Sequence, residues 1–149
     1  MKKRRISTSF AGQALLEFSL VILVLATILM GIFDLGRAVY TQTALSNAAR
    51  EGARKAAVTF TGNASNDTAT IKQAVRDTGI GLGIIDSQIS ITYVASDGTT
   101  GVARSAADWV TIAISSYPFI PATPFISGFF GSSGRLNMAS SASMTLEVK

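Results

Sequence analysis

Few residue types in this sequence are equipped for catalysis. The 149 residues include no histidine and no cysteine, which leaves out Ser-His and Cys-His nucleophile pairs, Cys/His metal sites and disulfides. The acidic residues Asp67, Asp77, Asp86, Asp97 and Asp108 are spread through turns and segment ends, without the pairing that acid-base chemistry needs. No enzyme activity, metal or cofactor is therefore expected. Two positions near the N-terminus stand out instead. Glu17 is a single carboxylate inside an apolar stretch, and Gly12 precedes it in Phe10-Ala11-Gly12-Gln13-Ala14, a small-residue segment that a processing peptidase could cut.

The element that must position Glu17 is a long apolar helix. Phe18 to Phe33 (FSLVILVLATILMGIF) carries no charge, and Gln13 to Leu16 extends it upstream of Glu17. Ala14 to Phe33 then amounts to about 30 Å of helix at about 1.5 Å per residue, the thickness of a bilayer core. A composition 48% hydrophobic and only 15% charged fits a chain whose excess apolar residues are gathered in one such span. The alternative, a buried helix of a soluble protein, is disfavoured because the run is apolar all round and has a basic flank.

That flank is Lys2, Lys3, Arg4 and Arg5. The positive-inside bias makes it a topology signal that keeps the N-terminus in the cytoplasm and sends the remainder outward. It also accounts for the whole formal charge of +4, since the nine basic and nine acidic residues after Gly12 balance. A basic surface for nucleic acid is not expected.

An ordinary secretory signal would place its small-residue cleavage site after the apolar run and discard the run. Here the small residues come before it. Basic leader, Gly12, four uncharged residues, then Glu17-Phe18 opening an apolar helix resembles the prepilin peptidase site of type IV pilins, with cleavage between Gly12 and Gln13. Gly31 to Val58 (GIFDLGRAVYTQTALSNAAREGARKAAV) is similar to the TadE-like pseudopilins of the tight-adherence pilus branch. A weaker likeness continues in Val110 to Ile114 and in Tyr117-Pro118-Phe119, followed by Pro121 and Pro124. Two departures from the broader pilin pattern are Gln13 as the first mature residue and a helix without proline, which leaves Gly31 and Gly36 as its weakest points.

The resemblance implies a pilus subunit with prepilin peptidase, other pilin subunits, a membrane assembly platform and lipid as its partners. It also implies a role for Glu17 and Phe18 in assembly. A carboxylate at the centre of a bilayer costs roughly 2.5 to 3.5 kcal/mol on insertion scales, so Glu17 calls for a partner. Cleavage after Gly12 would create an α-amino group on Gln13, and the resemblance implies that Glu17 meets that amine on a neighbouring subunit. The competing explanation is a carboxylate snorkelling to the headgroups.

Beyond the membrane the helical pattern continues from Ala38 to Val58. Ala44, Ala48, Gly52 and Ala56 recur at four-residue spacing, with Ala49, Ala53 and Ala57 on the adjacent row. This smooth stripe suits either packing in a filament or packing under the chain's own sheet. Glu51 and Lys55 are spaced for an ion pair.

Thr61 to Asp67 is expected as a loop, and Thr68 to Thr78 as a short amphipathic helix showing Ile71 and Val75. Alternation then predicts strands over Gln88 to Ala95, Asp108 to Ser115 and Leu136 to Val148, with a turn at Asp97-Gly98. Trp109 is expected in the core. Tyr117 to Gly134, with Pro118, Pro121, Pro124, Phe119, Phe125, Phe129 and Phe130, is expected as a loop folding back over the sheet edge, in preference to an exposed adhesive surface. Asn63-Ala64-Ser65 and Asn66-Asp67-Thr68 match a glycosylation tripeptide that arises easily by chance, and no function attaches to them.

The fold expected is α+β: a long N-terminal helix, membrane-spanning in its first half, packed by its second half against a small antiparallel sheet of about three strands, in a pilin-like arrangement. The divisions expected are a cleaved leader over 1–12, an assembly helix over 13–36, its extracytoplasmic continuation over 37–59 and an outer domain over 60–149. Two other roles share these features: a signal-anchored surface protein that never polymerises, and the main structural pilin of the filament.

Overall fold

The computed structural model describes residues 9–59, 64–102, 104, 107–123, 127–128 and 133–146. Helix α1 runs unbroken over Ser9–Val58. It passes through Gly31 and Gly36 without interruption, and it begins four residues before Gln13. Two hydroxyls within its apolar stretch are satisfied locally: Ser19 Oγ donates to the Leu16 carbonyl and Thr27 Oγ1 to the Leu23 carbonyl, both at 2.8 Å. A helix can carry such residues through lipid because no polar group is then left bare.

Helix α2 spans Ala64–Thr78, so residues 64–67, expected in a loop, form its first turn. Ser65, Asn66 and Asp67 are residue types that favour a helix N-terminus, where exposed backbone N–H groups and the helix dipole welcome oxygen acceptors and negative charge. Ile71 and Val75 are fully buried against α1, as their spacing predicts.

A short 3-10 turn, Asp86–Gln88, leads into a three-stranded antiparallel sheet of β1 (Ile89–Val94), β2 (Trp109–Phe119) and β3 (Leu136–Thr145), in that order. Ile89 pairs with Ile114, Ile91 with Ile112 and Tyr93 with Val110, so the inward residues of the two strands face one another. Leu45, Ala48, Ala49, Ala53 and Ala56 of α1 meet Ile71 and Val75 of α2 and Val110, Ile112 and Ile114 of β2 in one core.

Strand β2 continues past its expected end at Ser115. Its register with β3 shifts between Ile114 and Tyr117, where two residues, Ser115 and Ser116, stand opposite one, and Ser116 has a φ of 56°. The bulge changes which parity points inward: Val110, Ile112 and Ile114 are buried before it, and Tyr117 is half-buried and Phe119 buried after it. Pro118 fits this stretch because β1 begins opposite Ile114 and its pairing reaches no further along β2, so β2 is an edge strand from there on. Tyr117 stays in the molecule by donating its hydroxyl to the Leu82 carbonyl at 2.8 Å.

Three further expectations are corrected. Trp109 is only half-buried and lies on the outward parity of β2, opposite to Val110 and Ile112. Glu51 pairs with Arg54, at 2.7 and 2.9 Å, and not with Lys55, because a guanidinium presents two donors to the two carboxylate oxygens. That pairing holds the Glu51 carboxyl below the usual carboxylate range. Strand β3 ends at Thr145; Leu146 donates its N–H to the Asp108 carbonyl, and Val148 lies outside the described residues.

The small-residue stripe sets how closely α1 and α2 approach. A methyl group built on Gly52 would lie 2.4 Å from Val75 Cγ2 and 3.3 Å from Ile112 Cγ2. Both contacts are with β-branched side chains, which have little freedom to turn away. Gly52→Ala is expected to destabilise the outer domain by about 1 to 3 kcal/mol, as overpacking does, measured by denaturant titration with Trp109 fluorescence. In a Val75→Ala background the same change should become stabilising by up to about 1 kcal/mol, the helix preference of Ala over Gly. Equal effects in both backgrounds would contradict the packing account.

Candidate functional site

The N-terminal third of α1 is an uncovered apolar cylinder. Leu15, Leu16, Phe18 and Leu23 are each about two-thirds exposed, and none of the most apolar window of the helix is buried within the molecule. Its length and a mean hydropathy of 2.5 suffice to cross a membrane. Gly12, Gln13, Glu17 and Phe18 all lie on this exposed part of the helix. Gln13 and Glu17, four residues apart, share one face. Among the described residues, and apart from its chain neighbours and the backbone of its own helix, Gly12 has nothing within 4 Å of where a side chain would begin. Among the described residues Glu17 makes no ion pair. Lys2, Lys3, Arg4 and Arg5 lie outside the described residues.

The stripe has a different surrounding. Ala48, Gly52 and Ala56 are buried beneath the chain's own α2 and sheet, whereas Ala44, one turn nearer the membrane, is half-buried. Of the two destinations open to these residues, the chain's own core occupies three of the four positions.

A contact that sequence inspection passed over lies at the junction of the apolar run and the outer domain. Asp34 is 4% exposed, and its carboxylate accepts the backbone N–H of Ala122 at Oδ1 and of Thr123 at Oδ2, both at 2.8 Å. Arg37 lies 3.6 Å from Asp34 Oδ1 and stands over the Phe119 ring at 5.7 Å from its centroid. Phe119, Pro121 and Thr123 are buried. The start of the Pro/Phe-rich segment therefore folds onto α1 itself, and not over the sheet edge as expected. Pro124, Phe125, Phe129 and Phe130 lie outside the described residues. The signal for this contact was present in Phe33-Asp34: a carboxylate set directly against an apolar run needs donors from somewhere.

At the other end of the outer domain, Arg104 donates to the carbonyls of Ala56 and Ala57, at 3.1 and 3.2 Å, and to that of Thr59. Ala56 and Ala57 carry two of the last carbonyls of α1, which have no partner within the helix, and Thr59 follows its end; a cation is favoured there. Burial pushes the nearby Tyr93 phenol up, with the charge of Arg104 opposing it. A shallow groove of about 320 Å³ between α1 and α2 is lined by Glu51, Lys55, Gln73 and Asp77 among others. Among the described residues, no group of three or more Asp, Glu, His or Cys side chains comes together as a metal site would require.

One uncovered apolar helix carrying a small α+β head at its C-terminal half fits a single-pass membrane protein of pilin-like shape. Residues 12–54 match the sequence model of the TadE-like protein family. The TadE-like resemblance holds over that segment, which takes in Gly12, Glu17, the apolar run and most of the small-residue stripe; Val110 to Ile114 and Tyr117 to Phe119 fall outside it. No curated protein and no solved structure matches the chain.

Proposed function

We propose that this chain is a pilin-like structural subunit, a minor pseudopilin of a tight-adherence type IV pilus, and that it catalyses no reaction. Prepilin peptidase cuts it between Gly12 and Gln13. The mature chain waits in the cytoplasmic membrane as a single span with its N-terminus inside. The assembly platform then passes it into an extracellular filament that supports adhesion, where the apolar helix packs against other pilin subunits in place of lipid.

The observation that carries this proposal is the overlap of two independent features: the TadE-like match over residues 12–54 and the complete lack of burial of the most apolar part of that segment. A helix surface this apolar needs a cover, which lipid supplies before assembly and neighbouring helices supply after it. Glu17, exposed on that surface without an ion pair among the described residues, is suited to receive the Gln13 amine of a neighbour. A non-polymerising anchored protein would keep its leader, and a main structural pilin would dominate the mass of the filament.

The orientation has its own test. Replacing Lys2, Lys3, Arg4 and Arg5 together with Ser leaves Arg37 as the nearest basic residue beyond the span, so the bias that fixes the N-terminus inside is lost or reversed. Protease added to cells stripped of their outer barriers is expected to digest the outer domain completely in the parent chain and only partly in the variant. Unchanged digestion would mean that these four charges do not orient the chain.

A further inference from the structure

We propose that the Phe119–Thr123 segment rests on the lipid interface at the outer face of the membrane, fixed at that depth by Asp34. The inference builds on the proposal that Ala14 to Phe33 spans the bilayer with the outer domain outside. Asp34 follows the last residue of that span, and the backbone N–H groups of Ala122 and Thr123 are hydrogen-bonded to its carboxylate. The segment therefore shares the depth of Asp34 and has no freedom to lie further out.

At about 1.5 Å per residue, Arg37 is about 6 Å beyond Phe33. The headgroup layer is about 5 to 7 Å thick on each side of the hydrocarbon. The stretch from Asp34 to Arg37, together with the segment bonded to it, thus falls inside that layer.

The surface chemistry at this level suits such a place. Ile120 is 52% exposed although it neighbours the buried Phe119 and Pro121. The Arg37 side chain is 46% exposed and can meet lipid phosphate while its guanidinium stays over Phe119. An apolar tip and a cation at this depth next to a span match a headgroup layer in contact with acyl chains.

The chain contains no cysteine, so single cysteines can carry a nitroxide label without background. The full chain would be labelled at Ile120→Cys, Leu25→Cys or Asp97→Cys and placed in phosphatidylcholine/phosphatidylglycerol vesicles. Collisions with oxygen and with a water-soluble nickel chelate present on both sides would then be measured. The Ile120 label is expected to be several-fold less accessible to the chelate than the Asp97 label and more accessible to oxygen, with the Leu25 label excluding the chelate altogether. Equal chelate access at Ile120 and Asp97 would overturn the inference. So would low access to both reagents at Ile120, which would mean that protein, not lipid, covers the tip. Free chelate access at Leu25 would overturn the membrane span as well.

Discussion

Glu17→Ala is expected to yield a chain that is cut, inserted and stable, yet missing from filaments sheared off the cell surface. Insertion should be as good as in the parent or better, because the substitution removes the one charge within the apolar segment. Folding of the outer domain should be unaffected, since the core begins at Leu45, far along α1 from residue 17. What the substitution removes is a carboxylate aimed outward from the chain. In a filament the Gln13 amine of a neighbour would then sit among apolar side chains without its counter-charge, and an unpaired buried charge is strongly disfavoured. Every 1.4 kcal/mol or so of lost pairing lowers an equilibrium tenfold, so incorporation should fall by at least about that factor. Quantitative immunoblotting of the sheared fraction against the membrane fraction measures it. Incorporation at the parental level would remove Glu17 from assembly.

The second large effect is expected at Gly12. Among the described residues, and apart from its chain neighbours and the backbone of its own helix, nothing lies within 4 Å of where a Gly12 side chain would begin. Gly12→Val should therefore leave insertion and the outer domain intact. A peptidase that accepts a small residue just before the cut bond would meet a branched side chain there instead. The variant should accumulate at precursor size in the membrane, with its leader attached, and filaments should lack it. Because the fold offers no reason for a defect, normal processing of Gly12→Val would count directly against this position as the cleavage site.

Much of the architecture was legible because its causes are local. An apolar run with a basic flank is visible in any window that contains it, and so are the α2 face of Ile71 and Val75 and the alternation of Ile89, Ile91 and Tyr93. The features missed depend on distant partners or on one-residue shifts. The bulge at Ser115 and Ser116 reverses the inward parity of β2, so alternation counted from Val110 ends early although the strand goes on to Phe119. Asp34 finds its donors 88 and 89 residues away, and no spacing rule connects it with Ala122 and Thr123. Glu51 chose between Lys55 and Arg54 by side-chain shape, which charge patterning ignores.

The candidate site divides in the same way. Gly12, Gln13, Glu17 and Phe18 were readable as a compact motif, and the TadE-like match covers them. The small-residue stripe was readable as a packing surface, but its partner was not: Gly52 faces Val75 and Ile112 of its own chain, and those residues come together with it only in the folded molecule.

The most direct test of the central proposal is the N-terminal peptide of this chain in purified, sheared filaments, identified by mass spectrometry. The proposal predicts that the chain is present there and that it begins at Gln13. A chain found only in the membrane fraction and still beginning with its basic leader would contradict it and favour the anchored protein that never polymerises.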